Sequence, residues 1–479
     1  MQAYYLEFSE EEASGSAHKF YEAVVDGTML TLCYGRIGTA GASSSQVCAS
    51  EEAATTLALK KIAEKKRKGY EEATKGVRQK RTITRRVIES RPSTSKNTAP
   101  MLWRFRTASI AFGIYVDEKG CWIGNQEGHV FKLSHEAEVV LQYQLSEGVK
   151  CIVSDGSWVY VGCDDGNVYD LAGKTPRLAY EINPAIDIYW LDIRNGLLAV
   201  SDAGGNLTTV NYEDEEQWAV KTAGQHAWMA RCDAAGRIFY GDSAGVSCYY
   251  GWDQGTLVWR QPTSNVLFGW LDAQHVYAGT GQGKVHKFTH EGQPVQTFAA
   301  DSAVFSCATS PDGKHVFAGD NSSSVYCFDE SGQRLWKLAT GCGSACSMQY
   351  FEERLYLVTT DGSLACLDVS EAAISQAQQG TVVATRSIKA PTETVAVVQS
   401  DILEVAPAAT QGVVLRCVKE SGKLRVKVET TGYHTDWNVQ FPKNMRREGQ
   451  RYLAEQLEPA AHGNFYRVLG NIYSLNSSR

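Results

Sequence analysis

The chain has 479 residues, of which 43% are hydrophobic and 11 are proline, and its formal net charge is −7. This composition excludes a collagenous, coiled-coil or wholly disordered protein and predicts about three domains of roughly 150 residues each. The first residues lack the pattern of a secretory signal, and no run approaches the roughly 18 apolar residues of a membrane span. We therefore expect a protein of the cytoplasm, or of the nucleus in a eukaryote, without a membrane partner. The 13 cysteines include no Cys-x-x-Cys pair, which predicts reduced, packed thiols.

The charge is unevenly distributed along the chain. Residues 60–91 hold 13 Lys and Arg against 4 Glu, a local charge of +9, so the remainder carries −16. A basic region of this kind can meet phosphates or an acidic protein, whereas the acidic remainder would repel nucleic acid. The alternative is a solvated helix face that continues into a linker.

The amino-terminal region predicts a small sheet followed by a helix. Residues 4–8, 19–24 and 29–34 are β-prone stretches separated by polar or glycine-containing segments. Ser50 is a plausible N-cap, because two glutamates and an apolar stripe at helical spacing follow it. Three lysines line another face of this helix, which we expect to end at 69–70. A basic linker is predicted over 76–100.

Three ordered blocks in this region, 19–22, 34–41 and 64–70, together resemble a WGR domain, as found in poly(ADP-ribose) polymerases and bacterial WGR proteins. The resemblance covers residues 1–75 and implies a small α+β domain that engages DNA ends more readily than RNA. It also implies that Arg36 contacts phosphate and that Tyr34 stands where the family's Trp packs beside the terminal sugar. The alternative is a plain strand with a turn-forming glycine. The predicted nucleic-acid-binding residues are Tyr34, Arg36, Lys61, Lys65 and Lys68.

The middle of the chain is periodic. Seven apolar strands recur at spacings of 38, 39, 40, 38, 40 and 39 residues, each followed by a second β-prone run. This period predicts a seven-bladed β-propeller over 101–380, because one four-stranded blade cannot bury both of its faces. A strand near 102–107 or near 381–386 is expected to close the ring by pairing with the first or last blade. The aligned strands begin at Trp122, Tyr160, Ala199, Phe239, Tyr277, Phe317 and Tyr356.

These blades resemble WD40 and quinoprotein-like repeats, the latter at 253–259 and 330–336. Only two of seven units carry that second signature, so no quinone cofactor is implied. We expect the propeller to recruit a protein partner through an acidic rim of hairpin tips, which is also a possible dock for the protein's own basic segment. The alternative is that tight turns simply require Asp and Gly. The rim carboxylates are Asp165, Asp202, Asp242, Asp320 and Asp361.

Short strings that match catalytic motifs occur in the sequence, but the structure predicted around them does not suit catalysis. The Gly-x-Ser-x-Gly string at 241–245 and the glycine-rich string at 279–284 both fall in predicted blade hairpins rather than before a helix. Cys342 and Cys346 lack histidines at zinc-ligand spacing. The sequence therefore predicts no catalytic residues, no metal, no cofactor and no enzymatic activity.

A carboxyl-terminal α+β domain is predicted over 381–479. We expect strands at 394–398, 413–418, 424–429 and 464–475 and a helix at 446–457. A polar and aromatic cluster within it is a candidate ligand site, although the alternative is that its aromatic side chains fill the domain's own core. The candidate ligand-binding residues are His434, Trp437 and Arg446.

The fold class predicted is thus multidomain and mainly β. Two functions from different classes remain. One is a non-enzymatic adaptor, with a WGR-like module that engages nucleic-acid ends and a propeller that recruits a protein, in nucleic-acid repair or defence. The other is a protein-interaction scaffold without nucleic-acid binding.

Overall fold

The computed structural model describes residues 2–12, 15–36, 42–73, 88–182, 188–380, 385–391, 403, 405, 406 and 411–475. It describes the side chains of these residues except those of 9–12, 15–18 and 36. The chain divides into two compact units, the first of which holds residues 1–82. Both are dominated by strands, so the multidomain, mainly β fold class is confirmed. Within the described ranges, neither α-helix has the length and apolar character needed to cross a membrane.

The first unit is an antiparallel sheet with one helix packed on it. The sheet has the strand order β4-β3-β2-β1-β5. The Ser50 side chain caps the helix by accepting from the Ala53 backbone N–H at 3.2 Å. The helix buries a stripe of small and branched residues on the sheet face that carries Leu6 and Tyr21. The elements are β1 (Gln2–Glu12), β2 (Gly15–Asp26), β3 (Met29–Arg36), β4 (Ala42–Val47), α1 (Glu51–Lys66) and β5 (Glu71–Glu72).

The second unit contains seven blades. In each of blades 1 to 6, four consecutive antiparallel strands form one sheet. The strands after β6 (Met101–Arg106) are β7 (Ala111–Asp117), β8 (Gly120–Asn125), β9 (His129–Leu133) and β10 (Val139–Gln144) in blade 1; β11 (Val149–Asp155), β12 (Trp158–Cys163), β13 (Asn167–Asp170) and β14 (Arg177–Glu181) in blade 2; β15 (Ile188–Arg194), β16 (Leu197–Asp202), β17 (Asn206–Val210) and β18 (Glu216–Lys221) in blade 3; and β19 (Met229–Cys232), β20 (Arg237–Asp242), β21 (Gly245–Tyr250) and β22 (Thr256–Gln261) in blade 4. They continue with β23 (Val266–Leu271), β24 (His275–Thr280), β25 (Lys284–Thr289) and β26 (Pro294–Ala299) in blade 5; β27 (Val304–Thr309), β28 (His315–Asp320), β29 (Ser324–Asp329) and β30 (Arg334–Ala339) in blade 6; and β31 (Ala345–Phe351), β32 (Arg354–Thr359) and β33 (Ser363–Asp368) in blade 7.

The blades close into a ring. The first strand of each blade contacts the first strand of the next, and β31 of blade 7 contacts β7 of blade 1. The strand β6 supplies the missing fourth strand of blade 7 by pairing antiparallel with β33. Of the two closing segments expected from the sequence, the one near 102–107 therefore closes the ring.

A second segment extends the same blade. After α2 (Glu371–Gln378), the strand β34 (Arg386–Lys389) pairs parallel with β6. Residues 386–389 were predicted to lie in the carboxyl-terminal domain, but their backbone belongs to the sheet of blade 7. The reason is that β6 would otherwise be an unpaired edge.

The cysteines behave as small hydrophobic residues. All 13 are free, and ten are buried. Burial raises the pKa of the Cys151 and Cys307 thiols to about 12, so both are protonated at neutral pH. The prediction of reduced, packed thiols agrees with this arrangement.

The carboxyl-terminal part is a closed five-stranded barrel and not the α+β domain predicted. Its strands are ordered β35-β36-β37-β39-β38. The helix predicted at 446–457 is wrong, because residues 451–459 form a strand that pairs with the distant segment 413–416 on one edge and with its hairpin partner β39 on the other. The strand predicted at 394–398 lies outside the described residues. The elements are β35 (Val413–Glu420), β36 (Lys423–Val428), β37 (Asn438–Val439), a 3-10 helix (Lys443–Met445), β38 (Arg451–Pro459) and β39 (Phe465–Leu475).

The barrel is fixed to blades 2 and 3 by buried polar contacts. Arg467 of β39 is 3% exposed and pairs with Asp155 of β11 at 2.9 Å. Its guanidinium carbon lies 3.8 Å from the centre of the Trp158 ring, whose indole N–H donates to the Val468 carbonyl at 2.8 Å. Ring and barrel therefore form one packed body within the second unit.

Candidate nucleic-acid interface

A lysine cluster lies at the carboxyl-terminal end of α1. Burial lowers the pKa of Lys65, and the positive charges of Lys68, Lys19 and Lys61 lower it further. The positive charge of Lys61 is partly compensated, since its Nζ lies 3.5 Å from the Glu64 carboxylate. Among the residues that the structure describes, none of Lys19, Lys65 and Lys68 has a carboxylate within ion-pair distance. An anion at this position would relieve their mutual repulsion.

Aromatic rings interleave with these lysines. The Lys65 Nζ lies 4.7 Å from the centre of the Tyr21 ring and 5.1 Å from that of Tyr70. Tyr21 stacks on Tyr34, with ring centres 6.2 Å apart, because the two residues are paired across β2 and β3. Tyr34 is 47% exposed. One face therefore offers an accessible ring for stacking beside positive charges that can hold phosphates.

Arg36 ends β3, where its Cα pairs with Lys19 of β2. The backbone thus places the predicted phosphate-binding residue directly opposite a lysine of the cluster. Its side chain lies outside the described part of the structure, so the phosphate contact of Arg36 stays a prediction.

The opposite face of the sheet is acidic. Tyr5 and Glu7 alternate with the helix-facing Leu6 and therefore point away from α1. Burial and the neighbouring charges of Glu7 and Glu22 raise the pKa of Tyr5 to about 12. Because the opposite face is acidic, the helix side of the first unit is the face that suits a polyanion.

Lys19, Tyr21 and Tyr70 belong to this face but were not among the predicted site residues. The pairing register of β2 and β3 is what identifies the first two of these residues as part of the face. Lys19 and Tyr21 alternate onto the same side of β2, and Tyr21 is paired with Tyr34. Register becomes visible only when the strand pairing is known.

The rim aspartates of the propeller are committed to their own hairpins. Asp320 is fully buried and accepts from the Ser322 and Ser324 backbone N–H groups and from the Tyr326 hydroxyl at 2.7 to 3.0 Å. Asp202 and Asp242 are 6% and 2% exposed and are likewise hydrogen-bonded within or beside their turns. The geometry therefore favours the interpretation that the turns require these residues. The remaining two, Asp165 and Asp361, are half-buried and also accept from neighbouring turn groups.

The described part of the protein's own linker, 88–100, lies on this side of the ring, and no arginine in it pairs with an aspartate of the described residues. Ser90 bonds to Ser344, and the Arg91 backbone N–H donates to the Asn321 carbonyl. Ile88 is buried against Phe112 and other residues near the beginning of the innermost strands. Hydroxyl, backbone and apolar contacts anchor these residues. Residues 74–87 of the basic segment lie outside the described residues, so docking of that segment on the rim stays a prediction.

The candidate ligand residues of the barrel serve its packing. Arg446 is 8% exposed and donates to the carbonyl oxygens of Phe441 and Leu424 at 2.7 to 3.2 Å. Trp437 packs against the barrel core, and the exposed His434 stacks on it with ring centres 4.7 Å apart. Arg446 thus closes the barrel through backbone carbonyl oxygens, while His434 and Trp437 stack on each other beside the barrel core.

The motifs that imitate catalytic sites lie in hairpins of the blades. Residues 241–245 span the turn from β20 to β21, and residues 279–284 span the turn from β24 to β25. No helix follows either turn. Within the described ranges, no group of three or more His, Cys, Asp or Glu side chains has the proximity needed to hold a metal ion.

Comparisons with known proteins agree with this architecture. Residues 3–77 match the WGR domain family, and residues 246–441 match the family described as outer membrane protein assembly factor BamB. The crystal structure of the WD40 β-propeller domain of Doa1 matches with a TM-score of 0.50 and 13% identity, over 58% of this chain and 99% of that one. The computationally designed Ika8 protein matches with a TM-score of 0.47 and 13% identity, over 56% of this chain and 100% of that one. No curated protein matches the chain.

The predicted resemblance is therefore confirmed. Residues 3–77 are a WGR domain, and a propeller with WD40-like and BamB-like relatives follows it. The likeness to the Doa1 domain concerns the fold alone, since the identity is low. A WGR domain joined to a propeller supports an adaptor or interaction role.

Proposed function

We propose that this protein is a non-enzymatic nucleic-acid-binding adaptor. In this proposal the WGR domain engages DNA ends, and the propeller recruits a protein partner in nucleic-acid repair or defence. The observation that carries it is the face on which Lys19, Lys61 and Lys68 lie near Lys65, whose ammonium group stands over the Tyr21 ring that stacks on the exposed Tyr34.

The chemistry of that face suits a strand end. Ammonium groups bind phosphate oxygens without regard to sequence and so supply affinity and its dependence on salt. An exposed ring adds stacking on an unpaired base or terminal sugar, which is worth roughly 1–3 kcal/mol per base. In this proposal the lysines of α1 bind the phosphate backbone of the nucleic acid, and Tyr34 of β3 contacts the strand end. The adaptor role places the protein in the cytoplasm, or in the nucleus of a eukaryote, and requires no catalytic group.

The test is binding of the full chain to labelled DNA, measured by fluorescence anisotropy from about 50 to 300 mM salt. Blunt duplex, nicked duplex, single-stranded DNA and RNA are compared. Engagement of about four phosphates predicts a log–log slope near −4 for duplex DNA. We expect blunt or nicked DNA to bind more tightly than RNA.

Variants separate the two contributions. Substitution of Lys65 and Lys68 by Gln should flatten the slope by about 2 while preserving the preference for ends. Tyr34→Ala should reduce the preference for ends and leave the slope unchanged, whereas Arg36→Ala should weaken binding to every duplex. Lys119→Gln, which removes one exposed lysine from blade 1, is the matched control and should change neither quantity.

Absence of measurable binding at about 50 mM salt would contradict the proposal. The protein would then be a protein-interaction scaffold whose WGR face contacts a neighbouring domain. If the lysine variant loses its preference for ends while its salt-dependence slope is unchanged, the roles assigned to helix and strand are reversed.

A further inference from the structure

A cavity of about 610 Å³ opens where the innermost strands of the propeller end. Residues of β7, β11, β15, β19, β23 and β31 line it. Its walls include three aromatic side chains, Tyr115, Trp190 and Trp270. The volume and the mixed aromatic and polar lining are typical of a site for a small molecule.

Arg231 of blade 4 lines this cavity and lies between side chains of the two neighbouring blades. Its guanidinium carbon lies 5.4 Å from the centre of the Trp190 ring in blade 3 and 5.5 Å from that of Phe268 in blade 5. Its Nε donates to the Gly269 carbonyl at 2.9 Å. These contacts hold the guanidinium in place while its two terminal nitrogens have no hydrogen-bond or ion-pair partner among the described residues.

The carboxylates that line the cavity are already occupied. Asp192 accepts from the backbone N–H groups of Ile193 and Cys232 at 3.0 and 2.9 Å. Asp233 forms a 2.6 Å ion pair with Arg237. Asp272 accepts from backbone N–H groups of its turn and from a tyrosine hydroxyl at 2.7 to 2.8 Å. None of these three carboxylates lies within 4.0 Å of Arg231. Burial raises the pKa of Asp192, and the positive charge of Arg231 offsets part of that rise.

A second arginine lies at the mouth of the cavity. Arg194 is exposed at the end of β15 and has no ion-pair partner among the described residues. Among the described residues, the guanidinium groups of Arg231 and Arg194 are therefore the donors on the cavity that a ligand can use.

We propose that this cavity binds the carboxylate or phosphate group of a small organic molecule, and that Arg231 is the residue that holds the anion. A partly buried guanidinium whose terminal nitrogens lack acceptors is costly, so an anion that replaces the lost hydration gains charge-assisted hydrogen bonds. The aromatic walls would contact the body of the molecule. Only propeller residues form the site, so it is independent of the proposed function of the WGR domain.

The test is isothermal titration calorimetry of the full chain with citrate and, separately, with inorganic phosphate. Saturable binding of citrate alone assigns a carboxylate ligand, and saturable binding of phosphate alone assigns a phosphate ligand. Glycerol serves as the neutral control. Arg231→Gln should weaken binding roughly 10-fold to 100-fold, since it removes a charge-assisted hydrogen-bond donor. Arg194→Gln, at the exposed mouth of the cavity, should weaken binding by up to about fivefold without disturbing the side chains packed around the cavity.

Two controls keep the outcome decisive. Arg260→Gln removes an exposed arginine from the outermost strand of the same blade and should leave anion binding unchanged. Substitution of Lys65 and Lys68 by Gln should also leave it unchanged. If neither anion saturates at about 10 mM, or if only the lysine variant loses binding, the channel site is refuted, while DNA binding by the WGR domain is decided by its own assay.

Discussion

Arg467→Met is expected to loosen the barrel from the ring. The arginine is 3% exposed, pairs with Asp155 at 2.9 Å and also donates to the Tyr160 hydroxyl. Its guanidinium lies 3.8 Å above the Trp158 ring. Methionine retains a flexible apolar stem but supplies neither the charge nor a donor.

The magnitude follows from what remains after the substitution. Removing one partner of a buried ion pair costs about 3–5 kcal/mol, because the other charge stays buried. Asp155 keeps the backbone N–H groups of Asn195 and Gly196, at 2.7 and 2.8 Å, which places the loss near the lower end. Loss of the cation–π contact, worth up to about 2 kcal/mol when desolvated, is partly offset by packing of the methionine. We expect the opening free energy of the barrel to fall by about 3–4 kcal/mol.

Native-state hydrogen exchange of the β39 amides measures this opening free energy directly. Arg451→Met is the matched control, because Arg451 of β38 is half exposed and its 2.7 Å pair with Glu429 is worth no more than about 1 kcal/mol. A loss below about 1 kcal/mol for Arg467→Met, or equal losses in both variants, would refute the assignment of Arg467 as the main polar contact between barrel and ring.

Three other substitutions test local features of the structure. Ser50→Ala should reduce protection of the α1 amides by about 1 kcal/mol while Ser50→Asp preserves it, and equal exchange in both variants would contradict the cap. Asp320→Ala should lower the free energy of opening of blade 6 by about 2 kcal/mol, because it leaves buried donors without an acceptor. If the opening free energy is unchanged and the variant captures less of a protein partner, the acidic-rim interpretation is correct instead. Burial raises the pKa of Asp214 to about 6, so between about pH 4 and pH 6 the native state holds a proton that the unfolded chain has released. This carboxyl's contribution to stability therefore falls as the pH rises through that window, and the unfolding temperature of Asp214→Asn minus that of the wild type should increase from pH 4 to pH 6; a constant difference would contradict the raised pKa.

The rim aspartates show how far turn chemistry can be predicted. Asp and Gly recur after the aligned strands, and the structure does place tight turns there. Whether a turn carboxylate faces solvent or is buried depends on neighbouring strands and loops. Asp320 bonds to the Tyr326 hydroxyl, and Asp242 bonds to Thr222 of the loop that precedes its blade. The sequence therefore predicts the hairpin and not the accessibility of its charge.

The part of the fold that local periodicity controls can be predicted from the amino-acid pattern. A buried strand must recur in every blade, so a spacing of 38 to 40 residues was enough to count seven blades. The blocks that identify the WGR domain and the cap of α1 are equally local. The tertiary structure alone decided the strand at 451–459, the choice of β6 to close the ring and the cavity around Arg231. Each of these depends on neighbours contributed by distant segments, because strand pairing and convergence at a channel are set by contacts that no local pattern encodes.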